Sequence, residues 1–162
     1  MMRLFITGFV GSIVVGINVV GAQPISSGTS AVDLTATLVD VNTNLGIGHS
    51  TATAPSGVVA IKYRINNLGS APSGAGNIAF YASKTASLTP SSVFLVYANL
   101  FDAVPASGST QDQTSNVNLP SNLPVGPYYI IVVANYDRKV GETNYSNNAS
   151  NALPITITAA TR

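Results

Sequence analysis

Val59, Ala60, Ile61, Lys62, Tyr63, Arg64 and Ile65 run large apolar, then small or charged, in strict turn. A repeat of two puts Val59, Ile61, Tyr63 and Ile65 on one face of an extended chain, and Ala60, Lys62 and Arg64 on the other. That pattern is a β-strand with one face on a core; a helix would repeat at three and four. The stretch runs into Asn66, Asn67, Leu68 and Gly69. That sequence predicts a turn, since Asn and Gly tolerate positive φ.

Strand signals continue on both sides. Val32–Asn42 alternates, with Val32, Leu34, Ala36 and Leu38 inward, and is followed by a loop over Thr43–Gly57. Further strands are predicted at Asn77–Ser83, Ser92–Phe101, Thr110–Leu119, Tyr128–Tyr136 and Ala152–Thr158. Thr110–Leu119 reads as an exposed strand. Tyr128–Tyr136 is the most hydrophobic and reads as central. Pro154, near the start of the last, marks an edge strand, because proline cannot donate to a ladder. No helical period follows residue 31. About seven short strands separated by turn residues predict an all-β chain folded as a single antiparallel β-sandwich. Neither an internal repeat nor a second domain is visible.

The 162 residues are 46% hydrophobic and only 8% charged, a length that suits one domain plus a targeting segment. Ser, Thr and Asn make up nearly a third of the chain. With abundant Val and Ile, that composition reads as extracellular β-structure. Seven basic against six acidic residues give no electrostatic footprint for nucleic acid. The absence of cysteine excludes disulfides, thiol catalysis and thiolate-bound zinc or iron–sulfur centres.

Arg3, the uncharged run Leu4–Val20 and the small residues up to Ala22 follow the three-part pattern of a secretory signal, predicted as a hydrophobic helix over 1–22. The alternative is a retained anchor, since Leu4–Ala22 is just long enough to span a bilayer. The predicted organisation is a signal over 1–22, a flexible linker over 23–31, the sandwich over 32–158 and a tail over 159–162. The chain is expected to be secreted, extracellular or at the cell surface, with the periplasm as an alternative. Once cleaved, it has no membrane contact.

Four runs share a further likeness. Ile61–Gly69 (IKYRINNLG), Phe80–Ser83 (FYAS), Leu123–Ile130 (LPVGPYYI) and Val140–Asn148 (VGETNYSNN) resemble, in order and spacing, the CARDB domain, the cell-adhesion-related domain found in bacteria. The likeness covers roughly Val32–Thr158. It implies an immunoglobulin-like sandwich, of a kind that usually sits in exported surface or secreted proteins beside adhesive or catalytic modules. Tyr145 stands where family members often carry an acid, and Pro127 where they often carry a small residue. The first departure weakens a metal-site reading.

Candidate chemistry is sparse. His49 is the one histidine, in a Gly-rich loop beside Ser50, with no nucleophile-elbow pattern around it. Asp137 and Glu142 are the one pair of acids close in sequence, and no Trp is present to stack a sugar. The densest polar segment, Asp137–Asn148, has two readings. Asp137, Glu142, Asn144, Asn147 and Asn148 are hard oxygen donors of the kind calcium takes, though Arg138 and Lys139 oppose a cation there. Alternatively, Glu142 and the Asn side chains satisfy backbone N–H groups at a corner of the fold. Asn144-Tyr-Ser146 and Asn148-Ala-Ser150 match the glycosylation pattern. One of Tyr128/Tyr129 and one of Phe80/Tyr81 are expected outward as contact residues.

These features predict an exported, non-catalytic adhesion or interaction module that needs no cofactor. Its expected partner is a protein or cell-envelope component. The alternative is a structural subunit that self-associates by strand addition at an edge such as Ala152–Thr158.

Overall fold

A computed structural model describes residues 31–42, 51–54 and 57–159. The predicted signal helix, nearly all of the linker and His49 lie outside the described residues. The order is β1 Leu34–Asn42, β2 Thr51–Ala54, β3 Val58–Asn67, β4 Gly76–Ser83, β5 Val93–Phe101, β6 Gly108–Ser109, β7 Gln113–Asn118, β8 Gly126–Ala134 and β9 Leu153–Ala159. Among the described residues, no helix is long and apolar enough to cross a membrane.

The strands form two sheets. In the four-stranded sheet β3 is central, with β1 on one side and β6, then β7, along the other. The five-stranded sheet has the order β2-β9-β8-β4-β5. All pairings are antiparallel except β2 with β9.

Val59, Ile61, Tyr63 and Ile65 of β3 face the core, as the alternation dictates. They meet Ile78, Phe80 and Ala82 of β4 and Tyr128, Ile130, Val132 and Ala134 of β8. Tyr63 and Phe80 stack edge to face, with ring centres 5.5 Å apart. In β1 the register shifts between Leu38 and Asp40, so Val39 and Asp40 both face solvent and Val41 returns to the core. A bulge of this kind re-phases a strand that strict alternation would otherwise carry outward.

Three expectations need correction. The predicted loop Thr43–Gly57 contains strand β2. Its Thr-Ala-Thr-Ala sequence has no large apolar side chain to signal burial. Because β2 pairs with β9, the antiparallel pattern has one parallel exception. The closing strand β9 is interior, with β8 on one side and β2 on the other. Pro154 is tolerated there because β2 pairs only Thr156–Ala159, so its missing N–H removes no bond to β2. By contrast, β8 does lie at the middle of its sheet.

Candidate functional site

Residues 135–152 link β8 to β9 and lie against the first half of β1. Asn135 ends the apolar run of β8 in a left-handed conformation (φ 46°), which Asn tolerates better than most residues. Its N–H donates to the Asn77 carbonyl (2.7 Å). Its buried side chain closes the loop to Val140, with Oδ1 accepting the Val140 N–H (3.0 Å) and Nδ2 donating to the Val140 carbonyl (2.7 Å).

Glu142 is the hub. Its Oε1 accepts from Asn135 Nδ2 (2.5 Å) and Asn148 Nδ2 (2.8 Å), and its Oε2 accepts the Leu34 N–H (2.5 Å). Asn148 also donates to the Ala134 carbonyl (3.0 Å). The Tyr145 hydroxyl accepts the Glu142 N–H (3.0 Å) and donates to the Val140 carbonyl (3.2 Å). Asn147 Nδ2 donates to Asp33 Oδ1 (2.8 Å). Asn151 takes both main-chain groups of Leu38, its Oδ1 accepting the N–H (2.9 Å) and its Nδ2 donating to the carbonyl (3.0 Å). The Thr143 N–H donates to the Val32 carbonyl (3.0 Å). These groups occupy the outer edge of β1, where a neighbouring strand would otherwise pair.

Of the five candidate ligands, Glu142 and Asn148 touch each other, while Asn147 holds Asp33. Asn144 Oδ1 is taken by the Ser146 N–H (3.0 Å) and Oγ (2.6 Å). Asp137 is paired with Lys139 (3.0 Å). Among the described residues, no three His, Asp or Glu side chains converge. Asn148 is buried with both amide hydrogens bonded, so its glycosylation match is closed off in the folded chain. Asp33, Asn135 and Asn151 belong to the corner but were not singled out by the sequence. Only Asn135 carries a local signal, as a polar residue ending an apolar strand.

On the outer face of the five-stranded sheet, beside this corner, runs a groove of about 510 Å³ lined by Tyr81, Leu88, Val133, Tyr136, Arg138 and Tyr145. The Arg138 guanidinium lies over the Tyr145 ring, 5.1 Å from its centre. Tyr128 and Phe80 are buried, while Tyr129 and Tyr81 are the partly exposed members of their pairs.

Two carboxylates titrate low. Hydrogen bonds from Arg64, then Lys62, hold Asp112 below the usual carboxylate range. Partial burial pushes Asp137 up, but bonds from Lys139 and Asn77 and the Lys139 charge outweigh it and hold it low. A carboxylate depressed in the native state adds stability that is present above its unfolded value and lost as pH falls through the native one. The urea midpoint should therefore stay level between about pH 5 and about pH 8 and fall below about pH 4. Asp112→Asn should flatten that acid decline; an equal decline in both proteins would remove Asp112 as a contributor.

The strand order, the interior tyrosine and the side-chain-built corner together define an immunoglobulin-like β-sandwich domain. The CARDB family model matches residues 33–152, and the chain belongs to the CARDB family. A crystal structure of a CARDB domain from Pyrococcus furiosus, solved in complex with di-metal ions, is similar at 16% identity and a TM-score of 0.51, covering 79% of this chain and 90% of that one. The solution structure of a Pyrococcus furiosus CARDB domain is similar at 15% identity and a TM-score of 0.50, covering 80% of this chain and 97% of that one. These likenesses are of fold. No curated protein matches the chain.

Proposed function

We propose that the chain is an exported, non-catalytic interaction domain that holds a protein or cell-envelope component against the tyrosine-lined outer face of its five-stranded sheet. The observation that carries this reading is how the corner's polar groups are spent. Glu142 gives both oxygens to Leu34, Asn135 and Asn148, so the most concentrated polar cluster holds the fold together. What remains beside it is a shaped, aromatic-walled groove lined by Tyr81, Leu88, Tyr136 and Tyr145. Tyrosine suits such a surface because it brings large contact area at low entropic cost. CARDB membership and the export pattern of residues 1–22 support the same reading.

Envelope from the producing cell should bind the purified protein saturably, and Leu88→Glu should weaken that binding roughly tenfold without changing the melting midpoint. Binding no stronger than to an unrelated β-sandwich would overturn the proposal.

The corner residues do not fit a two-metal centre. Asp137 is held by Lys139, both Glu142 oxygens are engaged, and the buried side-chain oxygens left without a donor here, Oδ1 of Asn147, Asn148 and the neighbouring Asn77, are amide oxygens. Calcium takes about six to eight oxygens, usually with several carboxylates. The melting midpoint is expected to be the same in calcium and in chelator. A calcium-dependent rise would reinstate the metal reading, because a ligand that prefers the native state raises the midpoint.

A further inference from the structure

Of the two Asn-x-Ser matches in the corner, the fold closes one and presents the other. Asn148 spends both hydrogens of its buried Nδ2, on the Ala134 carbonyl and on Glu142 Oε1. Asn144 is exposed, and among the described residues its Nδ2 donates no hydrogen bond. Its Oδ1 is turned back onto the chain, accepting the Ser146 N–H (3.0 Å) and the Ser146 hydroxyl (2.6 Å). That is an Asx turn, in which the side chain bonds its own backbone two residues on. The amide nitrogen is the end left over.

The residues on either side of Asn144 are anchored. The Thr143 N–H (3.0 Å) and hydroxyl (3.2 Å) both donate to the Val32 carbonyl. The Tyr145 hydroxyl is held between the Glu142 N–H and the Val140 carbonyl. Asn144 is therefore a solvent-facing amide on a fixed stretch of loop, inside an Asn-x-Ser match whose middle residue is not proline.

We propose that Asn144 is an N-glycosylation site, accepting a sugar chain carried on a lipid phosphate, and that Asn148 stays bare. In the transfer, Nδ2 forms a bond to the anomeric carbon of the first sugar and gives up one proton. The bond from that carbon to the phosphate oxygen breaks, and the lipid phosphate leaves with the electron pair. The Ser146 hydroxyl, bonded into Oδ1, draws electron density toward the oxygen and makes the N–H more acidic. Transfer before folding leaves the choice unchanged. A chain with sugar on Asn148 would give up bonds to Ala134 or Glu142 and leave buried groups without partners, whereas one with sugar on Asn144 folds with every bond of the corner intact. The inference goes beyond the interaction reading, which assigns no modification, but rests on its export step, because the transfer takes place on the far side of the membrane from the ribosome.

Mass spectrometry of the protein from the cells that produce it, fractionated into cytoplasm, envelope and medium, tests it. Trypsin, cutting after Lys139, releases Val140–Arg162 with both matches on one peptide. In the exported protein this peptide is expected to carry sugar mass, assigned by electron-transfer fragmentation to Asn144, with none on Asn148. Asn144→Gln and Ser146→Ala should each abolish the sugar, while Ser146→Thr, which keeps the hydroxyl, should retain it. Both losing variants leave the Glu142 bonds in place and should be exported as the wild type is. An exported wild type with a bare peptide, sugar on Asn148, or sugar that persists in Ser146→Ala would each overturn the inference and leave export standing. A bare protein confined to the cytoplasm would overturn the export reading, and the inference with it.

Discussion

Replacing Asn67 with Ala is expected to lower the unfolding free energy by about 3–5 kcal/mol, one of the two largest losses anticipated for a single polar side chain here. Asn67 ends β3 and is buried. Its Oδ1 accepts the N–H groups of Gly69 (3.0 Å) and Asp33 (3.2 Å), and its Nδ2 donates to the carbonyls of Ala71 (2.7 Å) and Val104 (3.2 Å). All four bonding positions of the amide are filled, and they join three segments: the start of β1, the β3–β4 connection and the β5–β6 connection. A neutral hydrogen bond contributes about 1 kcal/mol net, but a buried group left without its partner costs about 1–3 kcal/mol. Alanine would leave the Gly69 and Asp33 N–H groups and the Ala71 carbonyl without these partners, while the Val104 carbonyl keeps the Ser73 N–H (2.9 Å). Asn67→Asp tests the same point differently, since it keeps the acceptor and turns an anion toward two carbonyl oxygens. It should cost at least as much as alanine. Urea unfolding of both variants provides the measurement, and a loss under about 1 kcal/mol in either would refute this account.

Asn67 also shows what the sequence made legible. A turn after β3 is readable in Asn-Asn-Leu-Gly, but the expected reason, tolerance of positive φ, is not the operative one. Neither Asn67 nor Gly69 adopts it. Gly69 is needed because a Cβ there would collide with the Ala31 carbonyl oxygen, and Asn67 because of what its amide reaches. The strands whose alternation buries one face, β1 and β3, were readable because period two reports directly on a two-sided environment, and β8 was readable as an unbroken apolar run, which suits a strand at the middle of its sheet. β2 was not, because four residues of Thr and Ala take their structure from β9 and carry no pattern of their own. The edge assigned to β9 failed for the same reason, since its second neighbour was invisible.

At the corner, the polar residues near Glu142 were conspicuous in sequence, but Asp33, Leu34 and Leu38 lie more than a hundred residues away from their partners. A single sequence has no local signal for such contacts. Two clamps therefore converge on one short segment. Asn67 holds the Asp33 N–H from the β3 side, and Glu142 holds the Leu34 N–H from the β8 side. The start of the sandwich is fixed by side chains where a sheet would normally use a strand.

That arrangement makes Glu142 the other sensitive position. Glu142→Ala removes one acceptor group from three donors: the Leu34 N–H, Asn135 Nδ2 and Asn148 Nδ2. Bonds to a charged acceptor contribute about 1.5–3 kcal/mol each, but Glu142 is partly exposed and water replaces some of the loss, so about 2–4 kcal/mol is expected. Glu142→Gln should recover about half of it. Its carbonyl oxygen can still serve the two asparagine amides, while its NH₂ then faces the Leu34 N–H, donor against donor. Adding Asn151→Ala opens Leu38 as well, leaving β1 with unpaired groups at Leu34 and Leu38 along one edge. An opened edge templates pairing with other chains. The double variant should therefore form larger species than the wild type does under the same conditions, as read by light scattering below the melting transition. If it stays folded and no larger than the wild type, the corner contributes stability alone and does not guard the β1 edge.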